Sequence, residues 1–200
     1  MRWALTVLAP PAVEPLSIDE AKLHLRVDTT DEDSRIAALI RAAREDAQES
    51  QGRSYVTQQL RLHLEGWPAG RAIYLPRPPL QSVQAVRYVR EDGTQQTLDP
   101  SCYLVVTASE PGAVVLAPGA SWPSEALQPG LPVTIDYTAG YGSSSGDVPE
   151  RIRQALLLHV GFHWGNRGDG IEPVSLPRAV REAIDRLLDP DRVWFSGPEG

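Results

Sequence analysis

The sequence predicts an α+β protein: a helical-bundle frame of four helices with an inserted antiparallel β-module. Three observations lead there. Apolar residues recur at helical spacing toward both ends of the chain, as in Ile36, Ile40, Ala43 and Ala47. Between about residues 55 and 140, short alternating or β-branched segments are divided by turn residues. A length of 200 residues, 42% hydrophobic and 22% charged, suits a globular chain that can bury a sizeable core. On this reading residues 13–54 and 147–190 form the helical frame, residues 55–142 the β-module and residues 191–200 a C-terminal tail.

The first segment, "MRWALTVLAPP", reads as an extended arm or first strand that ends at Pro10 and Pro11, and its apolar run is too short for a secretory signal. "PLSIDEAKLHLRV" reads as a short helix with a Ser17/Glu20 capping box and an apolar side of Ile18, Ala21, Leu23 and Leu25. "DTTDEDSRIAALIRAAREDAQESQGR" is the clearest helix. Asp31, Glu32 and Asp33 complement the positive end of its dipole, Gly52 suits its C-terminal stop, and its alanines permit close helix–helix approach.

The pattern then changes to period two. In "QQLRLHLEGW", Leu60, Leu62 and Leu64 share one face and Arg61, His63 and Glu65 the other. "AIYLP", "SVQAVRYVR", "TQQTL", "CYLVVT", "AVVLA" and "LPVTIDYTAG" read as further strands, with a hairpin at Asp92-Gly93. Helical spacing returns in "DVPERIRQALLLHVGFHWGNRG". There Asp147 can cap, Pro149 fits the first turn, and Ile152, Ala155, Leu156, His159, Val160 and His163 form a stripe. A last amphipathic helix starts after Pro177, carries Val180, Ile184, Leu187 and Leu188, and stops at Pro190.

Composition narrows the function. The net charge of −7 argues against broad nucleic-acid backbone binding, which needs a basic surface, though an acidic surface would let DNA pass without sticking. Nearly all the basic residues are arginines, which favours bidentate contacts to carboxylates. Cys102 is the single cysteine, so no internal disulfide can form, and in "SCYLVV" it reads as a small core residue. No run approaches the roughly 18 apolar residues of a membrane span.

Several segments resemble catalytic patterns, and each has a simpler reading. "YTAGYGSSSGDVPERI" places three glycines and three serines between a strand and a helix. It lacks the Lys of a phosphate loop and the spacing of a dinucleotide fingerprint, so a connecting loop is the better reading. His159 and His163 lie four apart on a helix, but the spacer has no Glu base and no third ligand is signalled. The acidic groups Asp31/Glu32/Asp33, Glu45/Asp46/Glu49 and Asp189/Asp191 fall at helix ends or on helix faces, and no Gly-x-Ser-x-Gly elbow exists. No catalytic, cofactor or metal residue is therefore assigned. A metal- or nucleotide-dependent enzyme using the Gly/Ser loop and His159/His163 is kept as the alternative, and a peptide- or carbohydrate-binding tail component as a third reading. In the tail, Val193, Trp194 and Phe195 form an apolar cluster after a helix stop, which either folds back on the protein or docks on a partner.

The order of motifs carries a resemblance. "PLSIDEAKLHLRVD", "DEDSRIAALIRAAREDAQESQGRSYVTQQL", "LPRPPLQSVQAVRYVREDGTQQTLD" and "YTAGYGSSSGDVPERIRQALLLHVGFHWGNR" follow one another. Over roughly residues 13–190 the chain resembles the head–tail connector, or adaptor, proteins of long-tailed phages and gene transfer agents. The Tyr-Thr-Ala-Gly-Tyr-Gly…Val-Pro block and the helix of Arg44 and Glu45 are its most specific pieces. The resemblance implies a non-enzymatic structural subunit without cofactors. It also implies a homo-oligomeric ring, usually of twelve, at the neck of a particle made in the bacterial cytoplasm. Such a ring docks below the portal protein, joins stopper and tail proteins, and extends the channel through which DNA passes without sequence-specific binding or any membrane. Family C-terminal segments often reach the portal, which makes Arg192, Val193, Trp194 and Phe195 the expected portal-binding residues. Arg41, Arg44, Glu45, Glu49, Arg151 and Arg153 are the candidates for contacts between subunits.

Overall fold

A computed structural model describes residues 1–166 and 176–199; Arg167 of the family motif and Gly200 of the tail lie outside them. The chain forms two compact units. One comprises Met1–Ala12, Gly52–Tyr141 and Val193–Gly200, the other Val13–Gln51 and Gly142–Arg192.

The first unit is built from strands β1 (Trp3–Ala9), β2 (Gln58–Leu64), β3 (Ala72–Tyr74), β4 (Leu80–Val89), β5 (Gln95–Thr97), β6 (Tyr103–Val106), β7 (Ala113–Leu116) and β8 (Val133–Ala139). They make a five-stranded sheet in the order β1-β2-β8-β4-β5 and a three-stranded sheet in the order β3-β7-β6, antiparallel throughout. Every strand read from the period-two pattern is present, and the N-terminal arm is a strand. The Asp92-Gly93 turn joins β4 to β5: Gly93 has φ +83°, Arg90 N–H donates to the Thr94 carbonyl, and the Asp92 carboxylate accepts from Thr94.

Alternation decides what the unit buries. Leu60, Leu62 and Leu64 of β2 face inward with Val133, Ile135, Tyr137 and Ala139 of β8, and meet Ile73, Val114 and Tyr103 of the smaller sheet in one core. Tyr137 is fully buried, and its hydroxyl donates to the Pro76 carbonyl at 2.7 Å, so its polar end is satisfied. On the opposite face of the larger sheet, Asp136 sits between two arginines. Arg61, its cross-strand partner, donates from Nε to Oδ1 at 2.5 Å and from Nη2 to Oδ2 at 2.8 Å; Arg87 donates to Oδ2 from β4. The Arg61 hydrogen bonds, followed by those of Arg87, hold the Asp136 carboxyl below the usual range against the opposing effect of burial.

The second unit contains helices α1 (Ile18–Leu25), α2 (Asp33–Gln51), α3 (Glu150–Gly165) and α4 (Arg178–Leu188) among its described residues. Its core draws on Ile36, Ile40, Ala43 and Ala47 of α2, Ile152, Ala155, Leu156 and Val160 of α3, and Ile184 and Leu188 of α4. α3 packs against each of the other three helices. The Ser17/Glu20 capping box of α1 is formed, and Gly52 follows α2 with φ +70°. No helix of the described residues is long and apolar enough to cross a membrane.

Two local expectations fail. Leu23 does not belong to the apolar side of α1: it is 83% exposed, because the eight-residue helix buries only Ala21 fully. Asp147 does not cap α3, whose N-cap is Pro149; it closes its own 3-10 turn, Ser145–Asp147, by accepting from Ser144.

Leu62 is inaccessible at the centre of the β core. Leu62→Ala is therefore expected to lower unfolding stability by about 2–5 kcal/mol in urea titration, with an unchanged fold by circular dichroism.

Candidate functional site

The geometry of the Gly/Ser segment closes it to phosphate. Gly140 has φ +135°, and a Cβ there would come within 2.6 Å of the Val56 carbonyl carbon. Its N–H donates to the Pro79 carbonyl, its own carbonyl accepts from Gln81 Nε2 at 2.8 Å, and the Tyr141 N–H donates to the Tyr55 carbonyl. In the helical unit, the Asp147 carboxylate folds over the loop and accepts from Ser144 N at 2.8 Å and Ser144 Oγ at 3.0 Å. These bonds, led by the Ser144 backbone N–H, hold the Asp147 carboxyl below its ordinary range. A fixed negative charge thus occupies the donors that a phosphate loop would keep for its ligand. The loop's glycines differ sharply in environment: at Gly146 a Cβ would meet nothing nearer than Ser144 Oγ at 3.8 Å. Gly140→Ala is expected to cost more than about 2 kcal/mol and Gly146→Ala less than about 0.5 kcal/mol, read by thermal or urea unfolding.

His159 and His163 do meet, with Nε2 atoms 3.1 Å apart and ring centroids at 4.8 Å. Asp46 Oδ2 lies 3.6 Å from His159 Nε2. Among the described residues no group of three or more His, Cys, Asp or Glu is placed to hold a metal ion. Burial, then the neighbouring His163, pushes the His159 pKa below the usual imidazole value, outweighing the opposing pull of Asp46. The unfolded chain then binds the proton more readily than the folded one, so stability falls as pH drops through the ordinary imidazole range, near 6.5. The midpoint of thermal unfolding is expected to fall between pH 7.5 and 5.5, and His159→Gln to flatten that fall; an equal slope in the variant would overturn the assignment.

Beside this pair runs a groove of about 220 Å³ lined by Asp46, Ala47, Ser50, His159, Ile184 and Leu188, among others. Arg181 and a second carboxylate, Asp185, also line it, so its walls carry both signs of charge beside the apolar Ile184 and Leu188.

The expected contact residues separate into two groups. Arg41, Glu45 and Glu49 lie one helical turn apart and form an exposed charged stripe on α2. Arg44, on the same helix, is buried and donates from Nε to Glu14 Oε2 at 2.7 Å, with Glu45 at 3.2 Å. Arg153 pairs with Glu20 and Arg151 with Asp191 inside the helical unit. The guanidinium groups of Arg44 and Arg153 are therefore spent within the subunit, on Glu14 and Glu20, which sequence reasoning did not single out. Glu14 sits 30 residues from Arg44 in a segment without periodicity, so nothing local signalled the pair. The Arg61–Asp136–Arg87 trio was equally unread: alternation placed Arg61 off the core face, but only strand pairing brings Asp136 to it.

The tail is partly folded back. Arg192 lies 3.0 Å from Asp189 and 3.5 Å from Asp185 in the helical unit. In the β unit, Val193 lies close against Gly52, Phe195 packs edge-on against Trp3 with centroids 5.3 Å apart, and the Pro198 carbonyl accepts from Tyr74 N–H. Trp194 stands out at 83% exposed.

Residues 15–91 match the family described as phage gp6-like head-tail connector proteins. No curated protein matches the sequence significantly. Among solved structures, a chain in the virion of a native gene transfer agent particle aligns at 26% identity and TM-score 0.74, covering 98% of this chain and 99% of that one. A chain in the neck of a native gene transfer agent particle, computed with C12 symmetry, aligns at 25% identity and TM-score 0.72, covering 99% and 100%. A third, in the neck of an empty particle computed with C6 symmetry, shares the fold at 24% identity and TM-score 0.75, covering 98% and 99%. The sequence match over residues 15–91 and the full-length structural matches bear out the resemblance carried by the order of the motifs: the chain is similar to the head–tail connector proteins of phages and gene transfer agents.

Proposed function

We propose that the protein is the subunit of an oligomeric ring at the neck of a tailed phage or gene transfer agent particle. The ring sits below the portal, extends the DNA channel and gives the stopper and tail proteins a platform. The observation that carries this reading is the full-length match to a chain of a particle neck computed with C12 symmetry. Physical features support it. The formal charge of −7 favours passage of DNA over adhesion. Within one subunit, the exposed stripe of Arg41, Glu45 and Glu49 offers charges for register with a neighbour, repeated at every contact of a closed ring. Arg151, 43% exposed at its side chain, can join such contacts, whereas Arg44 and Arg153 act by fixing the helices that present the stripe.

Within the tail, Trp194 is the residue proposed to anchor on the portal, flanked by Arg192, Val193 and Phe195, which hold the tail in place. An exposed Trp beside ordered backbone is the kind of side chain that dominates interface energetics. Portal recruitment, measured by co-sedimentation of purified portal with this protein, tests the function; portal that never recruits it under assembly conditions would end the reading. Trp194→Ala is expected to weaken recruitment at least tenfold while leaving thermal stability unchanged. Undiminished recruitment by the variant would remove the tail from the interface.

A further inference from the structure

Sheet edges need protection, because an uncovered edge presents unpaired N–H and C=O groups to any passing strand; charges, prolines, short length and bulges are the usual devices. Strand β1 is an outermost strand of the five-stranded sheet, and its one such device is a register shift between Val7 and Ala9. Its seven residues, "WALTVLA", carry no charge and no proline. Leu5 packs on the core and Phe195 on Trp3, yet Trp3 remains 38%, Val7 52% and Leu8 43% exposed. Val7 shares a face with Trp3 by alternation, and Leu8 projects from the irregularity between Val7 and Ala9. Pro10 and Pro11 close the strand only at its end.

The smaller sheet has a counterpart. Strand β6, "YLVV", is also outermost and uncharged, with Leu104 55% and Val105 38% exposed on opposite faces. The remaining two edges are different. β5 is three polar residues, and at β3 the Tyr74 N–H is bonded to the Pro198 carbonyl of the tail. One subunit therefore carries two apolar edges without charge or proline, on two different sheets.

A ring closed by rotation joins each copy to the next through two unlike surfaces of the same chain. Two unlike, uncharged strand edges meet that requirement. A single self-complementary edge would instead pair with itself about a two-fold axis and stop at a dimer. We propose that β1 of one copy pairs with β6 of the next copy, so that the β units join into continuous sheets around the ring. The inference rests on the ring reading above and adds to it a main-chain interface distinct from the charged stripe of α2. Main-chain hydrogen bonds supply the attachment, and the side chains of Val7, Leu8, Leu104 and Val105 supply the register.

The test uses cysteine pairs in a Cys102→Ser background, with Thr6, Val7 or Leu8 of β1 and Leu104 or Val105 of β6 replaced one from each strand. Under mild oxidation of the assembled neck complex, at least one double variant is expected to give a ladder of covalent multimers on non-reducing gels, and each single variant none. Dimers from β1 single variants would show like-to-like pairing and overturn the proposal. So would the absence of a ladder from every double variant in rings confirmed by electron microscopy. As a second arm, Val7→Lys and Leu104→Lys place a charge on each edge. Each is expected to cut the fraction of protein in rings at least tenfold with thermal stability unchanged, and normal ring yield from both would overturn the inference. Should the unmodified protein form no ring with portal present, the ring reading itself falls, a result separate from the behaviour of the variants.

Discussion

The pairing of β2 with β8 is the constraint on which the rest of the structure depends. The chain leaves α2 at Gly52 and does not return to helix until α3, and the intervening segment must begin and end at one place. The ladder from Gln58↔Ala139 to Leu64↔Val133 achieves this by setting the first and last long strands of the segment side by side. Gly140 then lies so close to the Val56 backbone that only glycine fits, and the Tyr141 N–H bonds to the Tyr55 carbonyl. The same ladder fixes which face each residue takes. A slip of one residue would turn Leu60, Leu62 and Leu64 outward and bring Arg61 into the core. Asp136 opposes such a slip from the other side, since its bonds to Arg61 form only in the observed register. Apolar burial on one face and ion pairing on the other therefore specify the same alignment.

Much of this was legible in the sequence because it depends on local pattern. Alternation at Leu60, Leu62 and Leu64 and helical spacing at Ile36, Ile40, Ala43 and Ala47 report burial directly. Asp92-Gly93, the Ser17/Glu20 box and Gly52 report local backbone conformation. What escaped depends on distant partners. Nothing near Arg44 indicates Glu14, and nothing near Asp136 indicates two arginines from different strands. Leu23 misled because in a short helix one burial stripe is narrow, and an apolar residue beside it projects into solvent. Asp147 misled because its cap was local but belonged to the 3-10 turn one step before the helix. Of the candidate contact residues named from the sequence, Arg41, Glu45, Glu49 and Trp194 are exposed. The exposure of β1 and β6 was hidden, since an apolar strand looks the same in sequence whether it lies at the centre of a sheet or at its edge.

The side chains that resemble catalytic groups are each occupied in another way. Asp147 fills its own loop, His159 is buried against a second histidine, and Arg44 and Arg153 are paired with Glu14 and Glu20. This distribution suits a protein whose work is to hold position. Such a subunit gains from ion pairs that orient helices and from surfaces that recognise copies and partners, while a reactive group would confer nothing.

The path of the chain has a mechanical consequence. It passes between the two units at four places: after Ala12, after Gln51, after Tyr141 and after Arg192. A tensile load applied to one unit is thus carried by four covalent strands in parallel, and a single proteolytic cut at any crossing leaves three intact. On the N-terminal side β1 is paired with β2, so unravelling from there has to dismantle a strand ladder before it reaches a helix. For a structural part of a particle neck, threading the chain back and forth gives a resistance to tearing that a simple two-domain string, joined by one linker, would lack.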